Sequence, residues 1–238
     1  MKKEAFKVMY NIEDSWWYKG RALVVKKVLD SFLNNKNGEK ILDLGSGFGG
    51  MLPYLKNYGE VDAMELDAEA KDFCKTRGYL NTYSTSEEAF SARNFSLVGM
   101  FDVLEHIEDD KKILSDIYKN LKPGGAVLIT VPAYMFLWGY HDIHHHHFRR
   151  YTRSGLRILL EESGFKVAYS SYWNFSLFLP IAVLRIFGVG GGESLGKPSF
   201  LDTIFKKIVY LESICIPTLF LPFGTGIVAI AYKDIKNE

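Results

Sequence analysis

Three groups of residues could carry chemistry. The first is the run Asp43-Leu-Gly45-Ser46-Gly47-Phe-Gly49-Gly50, a carboxylate followed by closely spaced glycines. The second is Glu65, about twenty residues further on, and the third is a cluster in which five of the six histidines lie between His141 and His147. Glycines between a strand and a helix let the backbone turn sharply and approach a ligand with no Cβ in the way. Gly45, Gly47 and Gly50 also satisfy the dinucleotide pattern G-x-G-x-x-G, so the glycines alone leave two ligand classes open. Asp43 separates them. A carboxylate two positions before the first glycine repels a pyrophosphate but attracts a cation, and S-adenosylmethionine carries an ammonium and a sulfonium where a dinucleotide carries phosphates. Glu65, at the end of the next apolar run, can accept hydrogen bonds from ribose hydroxyls in either cofactor.

Histidine titrates near neutrality and serves as a general base. His141 and His147 are therefore the first catalytic candidates, with Asp142 as an orienting carboxylate and His106 as a separate candidate. Arg149 and Arg150 follow directly and could grip an anionic group of a substrate. A solvated surface loop is the plain alternative for the whole run. Metal binding is the other, disfavoured because consecutive residues point in different directions, so no metal is expected.

The elements that must position these groups follow from periodicity. Apolar residues at Trp16, Leu23, Val24, Val28 and Leu29 predict a helix over 15–33. Short apolar runs at 40–44, 61–65, 81–84, 95–101, 126–131, 166–173 and 226–233 predict strands, with helices near 51–58, 68–77 and 109–121 between them. Thr152 can cap a helix that runs to Ser163 and stops at Gly164. Strands alternating with helices imply an α/β fold with a doubly wound, mainly parallel sheet. About fifty residues rich in Phe, Leu, Ile and Pro before the last strand exceed what a loop needs and predict a helical insertion. The expected layout is one domain with a helical lid over 1–37, a cofactor-binding core over 38–173, the hydrophobic insertion over 174–224 and the last strand in 225–238.

Composition sets the outer limits. The chain has 238 residues, 47% hydrophobic and 24% charged, with a formal net charge of +1. That balance suits a protein with a substantial core, and no basic run marks a nucleic-acid footprint. Two cysteines, Cys74 and Cys215, in no metal-binding spacing suggest neither disulfide framework nor zinc site and fit a reducing cytosol. The N-terminus reaches acidic and polar residues before any signal-length apolar stretch, so secretion is not expected. Prolines and Arg185 break the apolar stretches at 175–189 and 214–223 below spanning length. Flanked by Arg185, Lys206 and Lys207, segment 175–223 could instead lie peripherally at the inner face of a membrane, pack into the core or form a dimer interface. A monomer or a homodimer is expected.

Four blocks in order, ILDLGSGFGG, VDAMELD, FSLVGMFDVLEHIEDD and LKPGGAVLITVPA, resemble the class I S-adenosylmethionine-dependent methyltransferases. The resemblance implies a seven-stranded Rossmann-like sheet with the last strand antiparallel. It implies a methionine portion lined by Gly45, Ser46, Gly47 and Gly49, a ribose held by Glu65 and Leu66, and Phe101 and Asp102 beside the cofactor. Many relatives have an acid after the third strand for the adenine amino group; here the stretch reads Tyr83-Ser-Thr-Ser-Glu87, leaving Thr85 or Ser86 to substitute. Trp16-Trp-Tyr-Lys-Gly-Arg21 and LWGYHDIHHHHFRRYT are similar to a bacterial subgroup, with His146 where a glycine is usual. That likeness brings Trp17, Arg21, Arg149, Arg150 and Tyr151 forward as substrate-side residues, with Trp16 to Tyr18 as a lid or as core. Methyl transfer to a small-molecule or lipid-linked acceptor is the leading expectation. A NAD-dependent oxidoreductase and a non-catalytic S-adenosylmethionine-fold binding protein are the alternatives.

Overall fold

A computed structural model describes residues 13–33, 39–92, 94–186 and 200–235. The N-terminal twelve residues, to which the expectation on secretion refers, lie outside these, as do 187–199 of the hydrophobic segment. Seven strands form one sheet: β1 (Glu39–Leu44), β2 (Gly59–Met64), β3 (Thr82–Tyr83), β4 (Phe95–Phe101), β5 (Leu121–Pro132), β6 (Lys166–Trp173) and β7 (Gly226–Tyr232). Their spatial order is β3-β2-β1-β4-β5-β7-β6. The first five run parallel, and β7 is antiparallel to both β5 and β6.

Strands covered on both faces need apolar residues at every position, and β4 is buried along all of Phe95–Phe101. The two sides sort by the period of two. Ile41, Val61, Leu97, Leu128, Val228 and Ile230 meet α1 (Trp16–Phe32) and the insertion through Val24, Val28, Leu29 and Val209. Leu42, Met64, Val98, Met100, Ile129 and Ile227 meet Leu114, Ile117, Leu156 and Leu160 on the helices Asp110–Asn120 and Arg153–Glu162. The strand expected over 126–131 starts earlier, at Leu121, and takes in Pro123-Gly-Gly125. This stretch lies inside β5 as an irregularity, since Phe95 pairs with Leu121 and Leu97 already with Ala126, with Gly124 at φ +74.

The caps follow side-chain chemistry. Ser15 accepts from the Tyr18 amide, Asp67 from Ala70 and Thr152 from Gly155, each starting a helix where the sequence places it. The insertion contributes two helices, Phe178–Ile186 and Phe200–Cys215. The second packs along α1: the Trp16 amide donates to Asp202 (2.9 Å), the Trp16 and Phe205 rings meet at 5.5 Å, and Gly20 lets Val209 in close. The N-terminal helix and the insertion thus form one layer over one face of the sheet. Trp16 is core, and Trp17 tilts against the buried Trp173 with ring centroids 4.5 Å apart.

The β1–β2 start tests how tightly this frame is built. A Cβ on Gly59 would lie 2.1 Å from the Glu39 carbonyl oxygen, a backbone atom that cannot rotate away. Gly59→Ala is expected to lower stability by about 2 to 3 kcal/mol, seen as a shifted denaturant midpoint with an unchanged slope. An unchanged midpoint would show that the strand pair relaxes freely.

Candidate active site

In open α/β sheets ligands settle beyond the carboxyl ends of the strands where the order reverses. Here that point lies between β1 and β4, and both following loops are unusual. Gly45, Gly47 and Gly49 have φ of +72, +52 and +77. Such backbone disfavours any side chain, and at Gly47 a Cβ would meet nothing within 4 Å, so the turn leaves open space in front of it. Across the switch point Asp102 also adopts a left-handed conformation, φ +57. Its carboxylate accepts from Thr130 Oγ1 (2.9 Å) and from the buried Arg21 (2.6 Å), which also reaches the Phe101 carbonyl. Strain held in place by this many partners is typical of functional loops.

Asp43 is 1% exposed beneath the glycine turn and accepts from the Tyr79 hydroxyl at 2.6 Å. Desolvation pushes its pKa up to about 6, against the opposing hydrogen bond from Tyr79 and the nearby Arg21 cation. Glu65 stands at the end of β2 with Oε2 accepting from the Gly47 amide (2.7 Å) and Oε1 from the Asp67 amide (3.0 Å). Two backbone donors fix the carboxylate while its remaining lone pairs stay available. Leu66 beside it is 75% exposed. Thr85 and Ser86 are engaged locally: Thr85 accepts from the Glu88 amide at the start of the helix Ser86–Ala92, and Ser86 donates to Glu87.

The histidine run is folded around Asp142. This buried carboxylate accepts from the Gly139 amide, His147 Nδ1 (2.9 Å) and both Nε and a terminal nitrogen of Arg150 (2.7 and 3.0 Å). Arg185 of the insertion lies 3.5 Å from it and donates to the Leu137 carbonyl. Burial works against its charge, but the hydrogen bonds of His147 and Arg150 prevail and hold Asp142 well below the usual carboxylate range. His141 sits among His145 and His147; desolvation there, then the His145 and Arg185 charges, lower its pKa to about 4, so it is neutral at pH 7. His146 has φ +55, the region glycine occupies freely, which accounts for the glycine usual at this position in the subgroup it resembles.

Residues 147–151 are stitched to the segment after β4. Phe148 donates its amide to the Glu105 carbonyl, Arg149 pairs with Asp110 (2.8 Å) and donates to the Glu108 carbonyl, and the Tyr151 hydroxyl donates to Asp110 (2.9 Å). Arg150 also donates to the Ala133 carbonyl. Arg150 and Tyr151 are buried, and their polar atoms hold the framework, whereas Arg149 keeps partial access to solvent. The stitching lays the His147 ring edge-on to His106, with centroids 4.5 Å apart. Beside them Glu105 is 1% exposed, and neither of its oxygens has a hydrogen-bond partner. Desolvation and, next, the Asp102 charge raise its pKa well above the ordinary value.

A family model described as a methyltransferase domain matches residues 16–170. The chain belongs to this methyltransferase family. Among curated proteins the methyltransferase is 30% identical over 115 residues to phosphoethanolamine N-methyltransferase 2 of Caenorhabditis elegans, covering 44% of this chain and 26% of that protein. It is 25% identical over 147 residues to the ubiquinone biosynthesis O-methyltransferase of Rickettsia canadensis, covering 54% and 62%. The chain thus spans from about a quarter to under two thirds of the length of these relatives. In fold it is similar to a SAM dependent methyltransferase from Archaeoglobus fulgidus, with TM-score 0.56 and 19% identity over 90% of this chain and 94% of that one.

S-adenosylmethionine is the cofactor of this methyltransferase class, and the residues present fit it. Asp43 supplies a buried negative charge under the turn, the Gly47 side is open, and Glu65 is fixed by two backbone amides at the end of β2. A diphosphate would meet Asp43 as a like charge. Sequence reasoning missed Tyr79, Glu105, Thr130 and Arg185. Only Glu105 carried a local signal, its place in the Asp102-Val-Leu-Glu105-His106 block; the other three are brought in by tertiary packing.

Proposed function

We propose that this methyltransferase moves a methyl group from S-adenosylmethionine to a small-molecule acceptor, with the cofactor held by Asp43, Gly45, Ser46, Gly47, Gly49, Glu65 and Leu66 and flanked by Phe101 and Asp102. The observation that carries the reading is the buried Asp43 carboxylate beneath an open glycine turn. When bound, the cofactor supplies an electrophilic methyl on a sulfonium with a good leaving group, so the protein's work is placement and proton removal. Arg21 orients Asp102, and α1 closes on the glycine turn through Tyr18, whose hydroxyl occupies the place a Cβ on Gly50 would take. The acceptor's proton leaves toward the cluster of His106, His141 and His147, in which Asp142 fixes the His147 tautomer and leaves Nε2 as its open nitrogen. Arg149, the least committed of the three residues 149–151, is the one that meets an anionic group of the acceptor.

The test is turnover. The protein with S-adenosylmethionine and a panel containing phosphoethanolamine, a ubiquinone precursor and a cell extract is expected to yield S-adenosylhomocysteine. Tight cofactor binding with no product from any of these would favour the non-catalytic reading instead.

A finer reading concerns the insertion. No helix among the described residues is long and apolar enough to cross a membrane. Leu179, Ile186, Leu201, Leu211 and Phe220 are nonetheless each more than half exposed, which supports a peripheral lipid contact and a lipid-linked acceptor. Flotation with anionic liposomes is expected to carry the protein upward, and protein left at the bottom would remove this reading.

A further inference from the structure

Glu105 poses an energetic problem. A carboxylate taken out of water without a partner is among the costliest groups a fold can hold, and buried acids are almost always paired, protonated or bound to a metal. Here both oxygens are buried and unpartnered, while the rest of the segment is well satisfied. The loop strap 147–151 brings His147 to the same spot from a different part of the chain. Among the described residues, Glu105, His106 and His147 each offer one ligand atom, and the three lie within 4.8 Å of one another. His147 has its other ring nitrogen tied to the Asp142 carboxylate. Carboxylate–histidine pairs of this kind fix the tautomer and orientation of a metal-ligating imidazole.

We infer that Glu105, His106 and His147 form a divalent cation site, with Asp142 as the supporting carboxylate of His147. Two imidazoles and one carboxylate suit first-row ions such as Mn2+, Fe2+ or Zn2+, and a three-ligand set leaves positions open for water or another oxygen. This revises the expectation of no metal. The ligands are not a run of consecutive histidines but residues from two segments converging at the carboxyl edge of β4. Asp102, which holds Arg21, is three residues from Glu105 in the same loop, so the ion lies close to the cofactor edge of the sheet. An oxygen held by such an ion has a lowered pKa, which marks the acceptor as a hydroxyl compound. With the ion bound, His106 and His147 act as ligands and His141 is left as the proton acceptor. The role of the ion in the reaction rests on the methyl-transfer reading; its binding does not.

The experiment is calorimetric titration of Mn2+ into the chelator-treated full chain, without any methyl donor, paired with the visible ligand-field spectrum of added Co2+. One equivalent is expected to bind. His106→Ala, which removes an exposed side chain, and Glu105→Gln are each expected to weaken binding by at least about 10- to 100-fold, the range seen when even a supporting partner is lost. His144→Ala, in the same histidine run but outside the cluster, should bind as the wild type does. Glu105→Gln also removes a buried carboxyl that has no hydrogen-bond partner, so its metal-free melting temperature should equal or exceed that of the wild type, and Mn2+ should raise the melting temperature of the wild type alone. The inference is overturned if the wild type takes up neither ion, or if binding survives both Glu105→Gln and His106→Ala. Neither result bears on whether the wild type turns over S-adenosylmethionine, so the two readings fail separately.

Discussion

Asp43→Asn is expected to make the ligand-free protein more stable at pH 8 by about 3 kcal/mol and at the same time to weaken its hold on S-adenosylmethionine by an order of magnitude or more. Desolvation raises the Asp43 pKa from 3.8 to about 6, so the folded state disfavours the ionised form. A carboxyl with a raised folded-state pKa costs no stability below its unfolded value. The cost grows as pH climbs from about 4 to about 6 and is constant above, where the difference corresponds to about 3 kcal/mol. Asparagine avoids that cost and still offers an oxygen to the Tyr79 hydroxyl. The gain should shrink to below about 1 kcal/mol at pH 4 and vanish near pH 3, where Asp43 is protonated in both states. A bound cation has the opposite preference and draws Asp43 into its ionised form. Affinity of the wild type for S-adenosylmethionine should therefore climb between pH 5 and pH 7, by up to about tenfold per pH unit below 6, and flatten above, while Asp43→Asn shows no such climb. Thermal melts at pH 4 and pH 8 with calorimetric titrations across the range read both effects. A variant that is less stable at pH 8 and binds as well as the wild type would refute the argument.

Glu65→Gln carries the second large effect, and it touches a different part of the ligand. The Glu65 carboxylate is held by the Gly47 and Asp67 amides, one on each oxygen, and so faces outward already oriented. Charged acceptors of ribose hydroxyls contribute about 2 to 3 kcal/mol, so the amide is expected to weaken binding by roughly 30- to 150-fold. It also presents an NH2 group to one of two backbone donors, which loosens the turn itself. Both S-adenosylmethionine and S-adenosylhomocysteine carry the ribose and should suffer alike, whereas only the former loses its sulfonium attraction in Asp43→Asn. Equal titration curves for wild type and Glu65→Gln would show that Glu65 only braces the loop.

Much of this was legible in the sequence because the signals were local. Strand cores such as Leu97–Phe101 carry no polar side chain, and Thr152 and Gly164 bracket their helix by cap chemistry alone. Asp43 and Glu65 stand at fixed distances from the glycines, and those distances are set by the strand-turn-helix geometry itself. The helix Ser86–Ala92 was not foreseen. Its start, Thr85 with Glu88, lies in a stretch that resemblance to other methyltransferases assigned to adenine instead. The histidine run was legible as a concentration of imidazoles but not as a constellation. Its order comes from Asp142 gathering Arg150, His147 and Arg185, and from Asp110 holding Arg149 and Tyr151, contacts made across 5 to 43 residues of chain. Tyr79 escaped notice for the same reason, since it reaches Asp43 only after Gly78, at φ +103, ends the preceding helix.

The claim on which the rest depends is that a buried acid under a glycine turn selects a cationic nucleoside over a diphosphate. Isothermal titration of the wild-type chain at pH 7.5 with S-adenosylmethionine and, separately, with NAD measures that directly. Saturable one-to-one binding of the sulfonium compound with no heat from NAD is the predicted result; saturable NAD binding with none for S-adenosylmethionine would contradict it.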